Sequence, residues 1–204
     1  MMISTIIISR NSWPYIDECV ASIRQQYRKP GEIIVVDGKS HDGTFEWLKK
    51  QQDLITLEQS GTGIANARNQ GILASNGKWI SFLDADDIWN PEKLDLQSQI
   101  LEKKPHLHAV TANLIKSDEN SEKTWPAMTP GGFLFRREVF NEFGLFDEQW
   151  TVASDHAWFI GAIRQGMKYE VLPVTLLTKR IHDHNLSVTQ KKKYRAEMMN
   201  IMRR

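Results

Sequence analysis

The 204-residue sequence holds a single cysteine, Cys19. One thiol excludes an internal disulfide and a cysteine-based metal centre, and it fits a reducing compartment. Cys19 lies among the apolar residues of a predicted helix, where packing is a plainer role than nucleophile. No apolar run approaches the ~18 residues of a spanning helix. No basic segment followed by a long apolar run marks a signal peptide. Formal net charge is only +1, so no global field draws nucleic acid. Internal repeats and an interdomain linker are lacking as well. The remainder, 41% apolar and 25% charged, is the composition of an ordinary soluble domain, long enough to bury a core. Seven tryptophans are many for this length, and some are expected to line a binding cleft.

What is present is an alternation of strand and helix signals. Residues 3–9, Ile-Ser-Thr-Ile-Ile-Ile-Ser, form the continuous β-branched run of a buried parallel strand. Pro14 suits the first turn of a helix over 14–27, which Pro30-Gly31 stops. Short strands are expected at 32–36, 54–58 and 79–83, and helices at 44–52, 64–75 and 91–103. The alternation predicts an α/β fold with a central, mostly parallel sheet flanked by helices. The second half is less regular. Strands are expected at 109–115, 131–135 and within 169–180, helices at 137–143 and 155–165, and a polar surface loop at 116–124. The tail, 191–204, carries six basic residues and one acid. Its Tyr194, Met198, Ile201 and Met202 make one apolar stripe opposite a basic face. That pattern suits a helix lying on an anionic membrane surface, with packing on the domain or a fragment of a longer protein as the alternatives.

The chemistry centres on 79–89, Trp-Ile-Ser-Phe-Leu-Asp-Ala-Asp-Asp-Ile-Trp, where an apolar strand runs into Asp84, Asp86 and Asp87. In an open α/β sheet, ligands bind outside the carboxyl ends of the strands. Three acids in four residues repel one another, and Mg²⁺ or Mn²⁺ is the expected counter-charge. Mg²⁺ is usually held by one or two carboxylates plus substrate phosphates, so a phosphate-bearing substrate is expected beyond it. The plainer reading makes Asp87 or Asn90 an N-cap before Pro91, which leaves Asp84 and Asp86 unexplained. Asp37 closes the second strand on the same edge, either as acceptor for a ribose hydroxyl or base N–H, or as a turn residue beside Gly38. A dinucleotide fingerprint is missing, because Arg10-Asn11-Ser12-Trp13-Pro14 stands where its glycines belong.

Three further residues carry two readings each. Arg68, in the helix after Gly61-Thr62-Gly63, offers a permanent planar cation to a diphosphate, or is a solvated helix-face arginine. Asp155 is either a first-turn acid beside Ser154, itself able to cap, or a general base at the mouth of a cleft. His182 and His184 flank Asp183. One of them could complete a metal shell, although loop histidines are more often simply exposed.

Four stretches occur in order: Ser-Thr-Ile-Ile-Ile-Ser-Arg-Asn, Ile-Ile-Val-Val-Asp-Gly-Lys-Ser-His-Asp-Gly-Thr, Ala-Arg-Asn-Gln-Gly-Ile and Phe-Leu-Asp-Ala-Asp-Asp. Together they resemble the family 2 glycosyltransferases of the GT-A fold. Phe-Arg-Arg-Glu-Val-Phe and Gly-Leu-Phe-Asp-Glu resemble the family's acceptor-side segment, so the similarity covers nearly all of 3–190. The resemblance implies a single Rossmann-like GT-A domain over 1–190. Residues 1–103 would be its nucleotide-binding half, 104–190 a small acceptor-side half, and 191–204 a basic tail. It implies an inverting hexosyltransferase of bacterial polysaccharide or cell-envelope type, using Mn²⁺ or Mg²⁺ and a nucleotide-sugar donor, UDP-linked by resemblance. The implied acceptor is a glycan or lipid-linked saccharide, and the implied place is cytoplasmic, peripheral on the inner face of the cell membrane.

By position, Asp37, Ser9, Asn11 and Arg68 match donor-binding residues. Asp84 and Asp86 match the Asp-x-Asp motif, with Asp86 nearer the metal and Asp84 nearer the ribose and sugar. Asp155 matches the catalytic base, and His182 a late histidine that reaches metal or diphosphate in some relatives. The sequence departs from the pattern at Gly38, where a second acid is usual, and at Ser154, before the base. Two rivals stand beside this reading. An apolar strand ending in Asp-x-Asp also marks haloacid-dehalogenase phosphatases, in which Asp84 would be the nucleophile. A non-catalytic sugar-nucleotide-binding module on the same frame is the other.

Overall fold

The structure is a computed structural model describing residues 1–117, 123–183, 185 and 189–203. Nine strands among the described residues form one sheet, in the order β3-β2-β1-β4-β8-β6-β9-β5, with β7 on β6. The first half alternates strand and helix: β1 (Ile3–Ser9), α1 (Tyr15–Arg24), β2 (Glu32–Asp37), α2 (Thr44–Leu48), β3 (Leu54–Glu58), α3 (Gly63–Ala74) and β4 (Trp79–Asp84). β3, β2, β1 and β4 are parallel neighbours. The second half contains β5 (Ile88–Trp89), α4 (Lys93–Lys103), β6 (Ala109–Lys116), β7 (Trp125–Pro126), β8 (Leu134–Arg136), α5 (Glu138–Glu142), α6 (Ser154–Arg164), β9 (Tyr169–Lys179) and α7 (Lys191–Arg203). Here β8 runs antiparallel to β4 and β6, while β6 and β9 are parallel.

This order locates the ligand crevice. The chain moves outward from β1 to β2 to β3, then returns to the other side of β1 as β4. The reversal lies between β1 and β4, and the space beyond the carboxyl ends of such a pair is where open α/β sheets bind ligands. Asp84 is in register with Ile8, one residue before the end of β1.

Both faces of the sheet are covered, which explains why β1 and β4 are mainly apolar, with Ser4, Thr5 and Ser81 as buried polar exceptions. Ile7 and Leu83 face α1 and α4, packing with Ile16, Val20, Leu94 and Leu101. Ile6 and Phe82 face the opposite way, into an aromatic cluster with Phe133, Phe135, Phe140, Phe146 and Trp158. Phe82 meets Phe135, Phe140 and Phe146 edge-on at 5.9–6.1 Å between ring centres, the geometry aromatic quadrupoles favour.

Several local expectations shift. The helix expected over 44–52 stops at Leu48. The strand expected at 131–135 moves down the chain, because Pro130–Gly132 forms a turn of 3-10 helix and β8 begins at Leu134. Asp87 and Asn90 do not cap α4 through its first helical residue. Asp87 is buried, and the Asn90 side chain instead accepts the Glu92 amide at 3.0 Å. The tryptophans are mainly core. Trp79 and Trp89 are fully buried and Trp150 and Trp158 nearly so, whereas Trp13 is the tryptophan that lines the cleft.

The tail corrects the membrane expectation. α7 packs its apolar stripe on the domain: Tyr194, Met198 and Ile201 meet Trp150, Ala153, Ala157 and Ile160. Ile201 is buried and Met202 is exposed. The face expected to enter a lipid surface is therefore mostly occupied by protein, and the basic face remains for solvent together with Met199 and Met202. No helix among the described residues is long and apolar enough to cross a membrane.

Candidate active site

A cleft of about 1180 Å³ opens at the switch point. Ser9, Asn11, Arg68, Asp84, Asp86, Asp155 and His182 all line it. They come from the ends of β1 and β4, from α3, from the start of α6 and from the segment after β9. Gly63 opens α3 with φ +84°, a backbone geometry in which a side chain would be strained, and it also lines the cleft.

Asp37 does not line the cleft. It is fully buried, and its carboxylate accepts the Ser40 amide at 2.9 Å and the Ser40 hydroxyl at 2.6 Å. Ser40 Oγ in turn accepts the Asn11 amide at 2.8 Å. Asp37 thus shapes the β1 and β2 loops from behind. Asn11 sits at φ 49°, where asparagine is among the better-tolerated side chains, and its Oδ1 accepts the His41 amide. Ser9 is buried beside Ser12, with the two hydroxyl oxygens 3.3 Å apart.

Each of the three acids after β4 has its own cationic or donor partner. Asp84 Oδ1 lies 3.3 Å from Arg68 Nη2. Arg68 is 2% exposed and stacks over Phe146, which rules out the solvated helix-face reading. Its Nε finds no acceptor among the described residues. Asp86 Oδ2 lies 3.0 Å from His182 Nε2 and accepts Asn185 Nδ2 at 3.0 Å. Asp87 accepts the Arg180 amide at 3.0 Å, with Lys179 Nζ 3.9 Å from its other oxygen. Protein groups therefore answer part of the mutual repulsion for which the sequence suggested a metal. Burial, then the charge of Asp84, still hold the Asp86 carboxyl above the usual carboxylate range.

β5 explains how distant residues meet here. Ile88 and Trp89 pair with Thr178 and Leu177 of β9. That ladder fixes the chain after Lys179 beside the acidic turn, and Tyr15 stacks on the His182 ring at 5.0 Å. His184 lies outside the described residues.

Asp155 stands in the first turn of α6, with its side chain 18% exposed. Its Oδ1 accepts the His156 amide at 2.8 Å and lies 3.0 Å from His156 Nδ1. Among the described residues nothing hydrogen-bonds Oδ2. Burial pushes the Asp155 carboxyl up, but the His156 bond and the charges of Arg68 and His156 outweigh it, and the net displacement is downward. The same bond raises His156 against the opposing effect of burial. Ser154, the other capping candidate, buries its hydroxyl without a partner among the described residues.

These two shifts predict a pH signature. A raised histidine contributes stability that is complete below its unfolded value, near 6.5, and is lost as pH climbs through the folded value. A depressed aspartate contributes above its unfolded value, near 3.9, and is lost as pH falls through the folded one. The destabilisation caused by His156→Ala, measured by urea unfolding, should therefore be largest between about pH 4 and 6.5 and shrink on the alkaline side. A pH-independent difference would contradict the pairing.

The sequence reasoning missed His156, Lys179 and Asn185. All three follow or precede a predicted site residue by one to three positions, but only the fold turns them into the cleft. Lys179 shows the collective field of the site. Burial opposes its charge, yet Asp87, Asp84, Asp86 and Asp155 together raise it.

The model of the family described as Glycosyl transferase family 2 matches residues 4–169. The uncharacterized glycosyltransferase EpsJ of Bacillus subtilis is 26% identical over 91% of this chain and 63% of its own length. The Escherichia coli glucosyltransferase WfgD, named for UDP-Glc and a GlcNAc-diphosphoundecaprenol acceptor, is 33% identical over 50% of this chain and 42% of its own. The chain thus spans less than two thirds of these curated relatives. Among solved structures, S. aureus TarS 1–349 in complex with UDP superposes with TM-score 0.76 at 20% identity, over 98% of this chain and 66% of that one. The complex of the same protein with UDP-GlcNAc gives 0.74 at 21% identity, over 91% and 60%. The shared architecture is the mixed α/β sheet of a GT-A-like fold.

Proposed function

Given that the chain belongs to glycosyl transferase family 2, we propose that it transfers a sugar from a nucleoside-diphosphate donor to an acceptor hydroxyl, with inversion at the anomeric carbon. The observation that carries this is the convergence of Arg68, Asp84, Asp86, Asp155 and His182 on one cleft at the β1/β4 switch point. Asp155 is the base. It is held ionised, and its Oδ2 is available to take the acceptor proton. The acceptor oxygen bonds to the anomeric carbon while the bond from that carbon to the diphosphate breaks, and the electron pair leaves with the nucleoside diphosphate. Arg68 and Lys179 are fixed cations toward which that charge develops. The UDP and UDP-GlcNAc complexes of TarS and the name of WfgD support a UDP-sugar, and WfgD's acceptor supports a lipid-linked saccharide of the cell envelope.

A divalent cation fits the residues with a condition. Among the described residues no three His, Cys, Asp or Glu side chains are placed to hold an ion by themselves. Two protein ligands suffice when phosphate oxygens complete the shell, and Asp86 with His182 are that pair, with Asp84 next to them. Mn²⁺ or Mg²⁺ bound there supplies positive charge to the diphosphate. The phosphatase rival fails on topology and family. Three strand–helix units precede β4, and Asp84 is tied to Arg68 rather than poised as a nucleophile.

The test is a panel of UDP-, GDP- and dTDP-sugars with saccharide acceptors, read as released nucleoside diphosphate, beside p-nitrophenyl phosphate. Turnover of one nucleotide sugar and none of the phosphomonoester is expected. Phosphomonoester hydrolysis alone would contradict the proposal.

A further inference from the structure

The last helix enters the cleft from a direction the sequence did not suggest. Gln190, Lys191, Lys193, Tyr194 and Arg195 line it together with Thr151, Val152 and Asp155. One residue of that helix does something different from its neighbours. Glu197, the single acid of the tail, is 9% exposed. Its Oε1 accepts the Thr151 amide at 3.1 Å and the Thr151 hydroxyl at 2.7 Å. Its Oε2 accepts the Val152 amide at 3.0 Å and the Ala153 amide at 2.9 Å. One carboxylate thus satisfies three consecutive backbone donors that lie 44 to 46 residues earlier.

Those donors lead into α6: Ala153 is its N-cap, and Ser154 separates it from Asp155. A helix start leaves its first amides without intrahelical partners, and α6 has no local side-chain cap. Glu197 accepts the amide of Ala153, the N-cap residue, together with the two amides before it, and a carboxylate is the favourable charge at this end of a helix. A second contact reaches the base through its neighbour. The Tyr194 ring meets the His156 ring edge-on at 5.5 Å, and His156 holds Asp155 Oδ1. Trp150, Ala153 and Ile201 close the same junction with apolar packing.

We propose that Glu197 is a positioning residue for the reaction: it fixes the 151–153 segment, and with Tyr194 sets the orientation of the Asp155–His156 pair. α7 is then a brace of the catalytic base rather than an appendage. This rests on the assignment of Asp155 as base, so the test carries one readout that does not depend on turnover.

The variants are Glu197→Gln and Glu197→Ala in the full chain. Glutamine keeps the volume but turns an N–H₂ toward amides that need an acceptor. Misplacing a reacting group by about an ångström costs up to about 100-fold, so kcat for transfer is expected to fall roughly 10–100-fold. The donor KM should stay unchanged, because no donor-side residue touches Glu197. The second readout is the titration midpoint of His156, followed by NMR of its ring protons. The groups facing that ring are Asp155, Arg68, Lys179 and Tyr194. Loosening the brace weakens the Asp155 bond that raises His156, so the midpoint should drop toward the ordinary value of about 6.5. A lowered midpoint supports the brace whether or not a donor is turned over. An unchanged midpoint in a folded variant overturns it, as does a lowered donor affinity with kcat intact. Should Glu197→Ala fail to fold, Glu197→Gln carries the same two readouts.

Discussion

Asp155→Asn lowers kcat for sugar transfer by roughly 10²–10⁴-fold and leaves donor affinity as in the wild type. The two side chains have the same shape, so the local structure should survive. Asparagine Oδ1 can still accept the His156 amide, which the aspartate accepts at 2.8 Å. What is lost is a carboxylate able to take a proton. The expected ratio is that of positioned general-base catalysis, because the substitution leaves the proposed donor side, Arg68, Lys179 and the acidic turn, untouched. The check is steady-state kinetics with a nucleotide sugar, beside calorimetry of UDP binding. Turnover equal to wild type would remove Asp155 as base and revive a non-catalytic sugar-nucleotide-binding module.

Asp86→Ala has the opposite profile. It removes the carboxylate that His182 and Asn185 both contact, and on the proposed metal role it should remove the metal-dependent part of donor binding. Even groups one step removed from a metal change its affinity by 10–100-fold, so at least a roughly ten-fold loss is expected for UDP in the presence of Mn²⁺. Affinity for UDP without metal should change little. Calorimetric titrations of UDP with and without Mn²⁺ read both predictions. Equal loss of binding in Asp86→Ala and Asp155→Asn would break the division of roles between donor side and acceptor side.

The first half of the fold was legible because its signals are local. Ile3–Ser9 and Trp79–Asp84 are buried along almost their whole length, with large apolar residues broken only by small hydroxyl side chains, the pattern of a strand covered on both faces. The acids at the strand ends mark the sheet edge by position alone. Asp84 and Asp86 were singled out in that way, Arg68 and Asp155 only through the family resemblance, and the fold brings all four to one cleft. Asp37 was placed on the right edge, but whether an edge acid faces the ligand depends on its neighbours. Ser40 claims both of its oxygens.

The second half was harder because its structure is made by pairing over distance. β5 has two residues, and its partner strand lies 88 to 90 positions later in the chain. No local pattern announces such a ladder, yet it is what carries His182 to Asp86. The tail misled for a related reason. An apolar stripe states that a helix has a face to bury and is silent about what it buries against. The acid beside that stripe was the available clue. Tyr194, Glu197, Met198 and Ile201 are spaced i, i+3, i+4, i+7, and an acid on the apolar face of a basic helix calls for fixed donors nearby. The 151–153 amides are those donors.

The central claim is a donor site for a nucleoside diphosphate between Arg68 and the Asp86–His182 pair. Its most direct test is the melting temperature of the wild-type chain with UDP, in the presence and absence of Mn²⁺. A ligand that binds only the folded state raises that temperature by mass action. A rise with UDP that grows when Mn²⁺ is added is expected. No rise with UDP, GDP or dTDP at millimolar concentration with Mn²⁺ present would contradict it.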